Sequence, residues 1–162
     1  MDQVYEKTLA RAFRLLAAKP RTIAELRERL GEKPWTDAAA IERVIARLLE
    51  LGYLNDEDFA AGYTRAKLSA KPLGPRRLRQ DLQRKKVDAE TAGQAIENAY
   101  EGNREEELID RALARRLRLK GKPQSREEAG KLLDHLLRLG FSYDLAMRKV
   151  REAGKIEEPE ID

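Results

Sequence analysis

The chain has 162 residues and a formal net charge of +4, and charged side chains make up 38% of it. The sequence contains no cysteine, which excludes disulfide bridges and thiolate chemistry and fits a reducing compartment. Its apolar runs are too short to cross a membrane, and its first residues lack the apolar stretch of a secretory signal. The composition therefore predicts a soluble cytoplasmic protein with a modest hydrophobic core.

Apolar residues recur at the three- and four-residue spacing of amphipathic helices along most of the chain, and strand-like alternation is absent from the sequence. The first stripe contains Leu9, Phe13 and Leu16. Glycines follow the stripes at positions where helices commonly end: Gly31, Gly52, Gly102, Gly121, Gly140 and Gly154. Polar residues suited to capping helix N-termini open later stripes: Thr36, Asp56, Asp88, Ser125 and Ser142. These patterns predict an all-α protein of about nine helices.

A pair of leucines four residues apart occurs three times, each time at the same distance before a cap candidate, an alanine and a β-branched residue. The matched sets are Leu26, Leu30, Ala40 and Val44; Leu78, Leu82, Ala92 and Ile96; Leu132, Leu136, Ala146 and Val150. Any amphipathic helix pair gives some such matches, but the common loop length favours a true repeat.

The repeat predicts three tandem three-helix units, resembling helix-turn-helix modules, in an elongated and curved arrangement. The predicted boundaries are 1–54, 55–102 and 103–155, followed by an acidic tail at 156–162. At the first joint we expect Asn55 or Asp56 to cap a helix. Four apolar residues near it are expected to be buried: Leu51, Leu54, Phe59 and Tyr63.

Positive charge is concentrated at residues 65–86, which we call the basic segment. It holds nine basic residues and one acidic residue, Asp81. The basic residues are Arg65, Lys67, Lys71, Arg76, Arg77, Arg79, Arg84, Lys85 and Lys86. A solvated helix face is one interpretation. The segregation of charge and the excess of arginine over lysine favour a surface that binds carboxylates or phosphates.

A second basic surface is predicted further along the chain, where Arg111, Arg115 and Arg118 share one helix face. It ranks below the basic segment, because acidic residues precede it and the helix dipole explains part of that order. The single histidine, His135, is expected at the surface or at the core boundary. No catalytic, cofactor-binding or metal-binding motif is present, so the sequence predicts no enzyme, no cofactor and no metal.

Two stretches resemble the RecX family of recombinase regulators. One is LLAAKPRTIAELRERL, and the other begins at Ile41 and includes GYLNDEDFA, Arg65 and the sequence GPRRL. The strong resemblance covers about residues 9 to 100, and the last third is similar in helix pattern more than in motif. Family members usually carry a glycine where this chain has Lys86, and lysine would be a poor occupant if the backbone there needs positive φ.

The basic residues include few candidates for reading bases and no interleaved aromatic residues, which predicts DNA contacts through phosphates without sequence reading, and we expect a monomer. The resemblance implies that the protein binds the RecA recombinase filament on single-stranded DNA. It also implies inhibition of ATP hydrolysis, strand exchange and co-protease activity. Small modules would suit such a filament, because several weak contacts add up to strong binding. Taken without the resemblance, a three-helix unit with a basic helix suggests a helix-turn-helix or non-specific DNA-binding protein, which is the alternative.

Overall fold

The structure is a computed structural model that describes residues 2–154. In this range the chain forms nine helices and no strand, which confirms the all-α prediction. The helices are α1 (Gln3–Ala18), α2 (Ile23–Gly31), α3 (Ala38–Leu51), α4 (Asp56–Ala70), α5 (Pro75–Arg84), α6 (Ala89–Ala99), α7 (Arg104–Lys120), α8 (Arg126–Arg138) and α9 (Tyr143–Gly154). The acidic tail predicted at 156–162 lies outside the described residues.

Spatial contacts divide the chain into two compact units. The first unit comprises Met1–Tyr63 and Asp81–Ala95, and the second comprises Thr64–Gln80 and Ile96–Asp162. Helices α4, α5 and α6 therefore each contribute residues to both units. The three repeat boundaries drawn from the sequence remain a prediction.

The repeated positions are core positions. All of them are buried: Leu26, Leu30, Ala40, Val44, Leu78, Leu82, Ala92, Ile96, Leu132, Leu136, Ala146 and Val150. In the first unit, α1, α2 and α3 pack around a cluster that includes Leu15, Leu26, Leu48 and Leu54. Burying a leucine side chain stabilises the fold by about 1.5–3 kcal/mol. The repeated residues therefore determine which face of each helix packs against the core.

Two of the predicted caps, Asp88 and Ser125, hold, and two others shift by one residue. Asp88 Oδ1 accepts a hydrogen bond from Thr91 N at 2.9 Å, and Ser125 Oγ accepts one from Glu128 N at 3.1 Å. The α3 cap is Asp37 rather than Thr36, because a turn closed by Thr36 N and the Lys33 carbonyl holds Thr36 before the helix. Its hydroxyl instead lies 2.7 Å from the Thr8 hydroxyl.

The α4 cap is Asn55, whose Oδ1 accepts from Glu57 N at 2.9 Å and from Asp58 N at 3.1 Å. Asp56 faces another helix start, since its Oδ1 accepts from Ile23 N at 2.9 Å. Burial raises the pKa of the Asp56 carboxyl, and the nearby Asp88 and Glu25 carboxylates add to that rise. Asp56 therefore joins α4 to the start of α2 instead of capping its own helix.

The predicted burial at this joint is only partly correct. Leu54 is buried, but Leu51, the last residue of α3, is 44% exposed. Phe59 and Tyr63 are half-buried, with stacked rings whose centroids are 5.9 Å apart. The Lys85 ammonium lies over both rings, 5.8 Å from the Phe59 ring centroid and 5.4 Å from that of Tyr63.

Replacing Phe59 with alanine is expected to lower the free energy of unfolding by about 2 kcal/mol, below the range for a fully buried phenylalanine. The loss combines half of the ring's apolar contact with the stacking on Tyr63 and the contact with the Lys85 ammonium. Urea unfolding followed by circular dichroism measures it. Phe59→Leu, which keeps apolar bulk without a ring, should lose less, and an unchanged midpoint for the alanine variant would show that the ring contributes nothing.

Candidate partner-binding surface on the basic segment

The start of α5, which carries much of the basic segment, is held by the end of α8. Gly74 N donates to the Leu139 carbonyl at 2.8 Å, and Arg76 N donates to the Gly140 carbonyl at 3.0 Å. These N–H groups lack partners within their own helix, as do the carbonyls at the end of α8. The pairing therefore satisfies both helix ends and brings their opposite dipole charges together.

This junction requires glycine on both sides. A Cβ atom at Gly74 would lie 2.2 Å from the Gly140 carbonyl carbon, and one at Gly140 would lie 2.3 Å from Arg77 N. Gly140 also has a φ of +94°, a backbone conformation that disfavours any L side chain. From the sequence, Gly140 is predicted only as a helix end. Its contact with Gly74 joins distant residues, and no local sequence pattern indicates it.

The end of α5 is fixed by polar contacts within the first unit. Asp81 is buried, and its carboxylate accepts a hydrogen bond from the Tyr63 hydroxyl at 3.1 Å and pairs with the Arg84 guanidinium. The Thr22 hydroxyl donates to the Lys85 carbonyl at 3.0 Å, and Lys85 Nζ lies 3.5 Å from a Glu25 carboxylate oxygen. Arg84 and Lys85 therefore have structural contacts besides any role in binding a partner.

Lys86 lies just after the end of α5 and has a φ of +59°. The backbone there therefore has the positive φ for which lysine is a poor occupant. Its N–H donates to the Gln83 carbonyl at 3.0 Å, and Val87 N donates to the Leu82 carbonyl at 3.1 Å. This is the position where helices usually place glycine, because a Cβ atom strains the left-handed conformation.

Replacing Lys86 with glycine is expected to raise the free energy of unfolding by about 1 kcal/mol, since glycine relieves that strain. Chemical denaturation checks the change. Lys86→Ala is the matched control, because it removes the charge and keeps the Cβ atom, and it should give no stabilisation. Equal effects of the two variants would mean that charge, not backbone strain, determines stability at this position.

The nine basic residues of the segment fall in both units. Arg65, Lys67, Lys71, Arg76, Arg77 and Arg79 belong to the second unit, and Arg84, Lys85 and Lys86 belong to the first. Five are exposed and have no carboxylate oxygen within 4.0 Å among residues 2–154: Arg65, Lys71, Arg76, Arg79 and Lys86. Four of these five lie in the second unit, so within the basic segment that unit holds most of the exposed cations without a carboxylate nearby.

The second predicted surface is also exposed. Arg111, Arg115 and Arg118 lie on α7 without a carboxylate within 4.0 Å in the described part of the chain. Two acidic residues of α7 contact a lysine of α9: Lys149 Nζ lies 3.0 Å from Glu106 and 2.7 Å from Asp110. The hydrogen bond to Asp110 is the main cause that raises the pKa of the Lys149 ammonium. Lys149 is buried, and the sequence does not predict this, because there it resembles any other basic residue of an amphipathic helix.

Residues 2–154 contain neither a metal-ligand cluster nor a membrane-spanning helix. In that range no group of three or more histidine, cysteine, aspartate or glutamate side chains is placed to hold a metal ion. No helix between residues 2 and 154 is both long and apolar enough to cross a membrane.

Known protein families match both parts of the chain in which the motifs were found. A family model described as the first three-helix domain of RecX matches residues 9–48, and one described as the second three-helix domain matches residues 55–96. The chain is also 32% identical over 163 residues to the regulatory protein RecX of Thermobifida fusca (strain YX). That match covers 99% of this chain and 86% of the relative. This chain belongs to the RecX family.

Other RecX proteins give the same result. The regulatory protein RecX of Mycolicibacterium smegmatis is 35% identical over 138 residues, covering 83% of this chain and 72% of the relative. The crystal structure of RecX from Lactobacillus salivarius superposes with a TM-score of 0.84 over 94% of this chain and 98% of that one, at 23% identity. The RecX resemblance is therefore confirmed, and the basic segment falls inside the match to the second RecX domain.

Proposed function

We propose that this RecX-family chain binds the RecA recombinase filament on single-stranded DNA and inhibits its ATP hydrolysis, strand exchange and co-protease activity. The observation that carries the proposal is the set of exposed cations in the basic segment that no carboxylate of the described chain neutralises. Family membership supports the regulatory role, since the relatives are named regulatory proteins. We further propose that the protein acts as a cytoplasmic monomer.

The chemistry of these cations suits a mixed protein and nucleic-acid surface. An arginine guanidinium forms forked hydrogen bonds with carboxylates and with phosphates, so Arg76 and Arg79 can engage either partner. Exposed cations cost little to bring to an anionic surface, because their water is only partly removed. Several such contacts on one filament would combine into strong binding through avidity.

The surroundings of α5 argue against sequence-specific DNA reading by this helix. A recognition helix of a helix-turn-helix protein contacts base edges with its N-terminal residues. Here the backbone at the start of α5 lies against Gly140 and Phe141, and the Arg76 N–H is bonded to the Gly140 carbonyl. The DNA contacts proposed for α5 are therefore contacts with phosphates, which carry no sequence information.

The proposal is tested by adding the protein to RecA filaments already assembled on single-stranded DNA and measuring ATP hydrolysis. We expect inhibition at fewer than one protein molecule per recombinase subunit. The comparison is addition of the same protein to DNA before the recombinase. A protein that only competes for DNA would inhibit strongly in the second order of addition and weakly in the first, and that result would favour the DNA-binding alternative.

A further inference from the structure

A cationic cleft lies in the second unit, between the end of α7 and the start of α8. Its volume is about 230 Å³, and Arg116, Lys120 and Lys131 line it together with Glu128. Leu132 and Pro123 form its apolar wall. The cleft is separate from the basic segment in sequence, and it includes none of the α7 residues predicted as the second basic surface.

The charges around the cleft are not balanced by the protein. Arg116 is half-buried and Lys120 is exposed, and neither has a carboxylate oxygen within 4.0 Å in the range that the structure describes. Lys131 pairs with Glu127 at 3.4 Å, but both side chains are largely exposed and such a pair is weak. The Arg116 guanidinium lines the cleft without an anionic partner in that range, so it is available to bind an external anion.

The one acidic group of the cleft has a local role. A Glu128 carboxylate oxygen accepts a hydrogen bond from Gln124 N at 2.6 Å, and Glu128 N donates to Ser125 Oγ at 3.1 Å. This reciprocal arrangement caps the start of α8. One acid against three bases leaves the cleft with an excess of two positive charges.

We propose that this cleft binds a backbone phosphate of single-stranded DNA. The planar guanidinium of Arg116 provides the fork that fits phosphate oxygens, and the ammonium groups of Lys120 and Lys131 add point charges. Pro123 and Leu132 offer an apolar surface beside these charges for the adjoining sugar. The inference rests on the proposed function, because that function brings the chain to DNA, but it assigns the contact to a different part of the molecule and is tested without the recombinase.

The first test measures binding of fluorescently labelled oligothymidylate to the protein alone across a range of salt concentrations. Arg116→Gln with Lys120→Gln should weaken binding by roughly tenfold at low salt and reduce the salt slope by about 0.7, as expected when one phosphate contact on a single strand is lost. The matched control is Arg126→Gln with Arg151→Gln, which removes two exposed charges outside the cleft lining and should change binding much less.

The single histidine provides a second readout that does not depend on affinity. Burial lowers the pKa of the His135 imidazole, and the positive charges of Arg116, Arg138 and Lys71 lower it further. A phosphate bound at Arg116 would offset part of that positive field. Nuclear magnetic resonance titration should therefore show the His135 pKa rising when oligothymidylate binds the native protein.

In the variant with Arg116→Gln and Lys120→Gln, the His135 pKa should be higher before DNA is added and should change little afterwards. The His135 signal also reports whether the variant is folded. Unchanged DNA affinity in a folded variant, or a His135 pKa that DNA leaves unchanged in the native protein, would overturn the proposal. Equally strong competition by an oligoglutamate peptide would also overturn it, because the cleft would then be a carboxylate site.

Discussion

Replacing Gly140 with alanine is expected to lower the free energy of unfolding by about 3–5 kcal/mol, the upper range for a single substitution. Two costs combine. The left-handed backbone conformation of Gly140, with a φ of +94°, strains any residue that has a Cβ atom. The added methyl group would also lie 2.3 Å from Arg77 N, so the start of α5 would have to move away.

That movement would lengthen the hydrogen bonds from Gly74 N and Arg76 N to the end of α8. Urea unfolding followed by circular dichroism measures the loss. Gly130→Ala in α8, the helix that precedes Gly140, is the control, since a Cβ atom there has no neighbour within 4 Å and alanine favours the helix. It should stabilise the protein by up to about 1 kcal/mol. An unfolding midpoint of the Gly140 variant equal to that of the native protein would contradict the proposed junction.

Features set by nearby residues were predictable from the sequence. The all-α class and the repeated core positions follow from apolar spacing, since a helix brings residues three and four apart onto one face. The predictions that are wrong concern residues whose burial or capping depends on a helix end or on a turn, which apolar spacing does not specify. Leu51 has the spacing of a core residue but lies at a helix end, and Thr36 is kept out of the cap position by a turn that the spacing does not reveal.

The candidate site also combines features that the sequence reveals with features that only the tertiary structure reveals. The clustering of positive charge at residues 65–86 is a property of the sequence, and so is the excess of arginine. Which cations remain available depends on tertiary contacts: Arg84 pairs with the buried Asp81, and Lys85 lies beside Glu25. No spacing rule predicts those partners. No local sequence pattern predicts the Gly74–Gly140 contact either, because each glycine by itself indicates only a turn or a helix end.

Reversing the charge of Arg76 and Arg79 together is expected to raise the protein concentration needed for half-maximal inhibition of the recombinase ATPase by about tenfold or more, equivalent to about 1.4 kcal/mol or more. Both side chains are exposed and have no carboxylate partner in the described chain. Glutamate has a helix propensity close to that of arginine, and an acid in the first turn suits the dipole, so the fold should be preserved.

Arg84 and Lys85 are left unchanged in this variant because their contacts with Asp81 and Glu25 support the fold. The matched control reverses Arg14 and Lys33, two exposed cations of the first unit outside the basic segment, and it changes the net charge equally. Circular dichroism and urea unfolding should show that both variants are as helical and as stable as the native protein. Any difference in inhibition then reports on position and not on net charge.

The most direct test of the central claim is the salt dependence of ATPase inhibition by these proteins on preformed RecA filaments. If the basic segment binds the filament, inhibition by the native protein and by the Arg14→Glu, Lys33→Glu control should weaken steeply as salt rises, because exposed charge contacts are screened. The Arg76→Glu, Arg79→Glu variant should inhibit poorly at low salt and show a flatter slope. If that variant folds, inhibits like the native protein and keeps its salt slope, the basic segment is a solvated helix face and does not bind the filament.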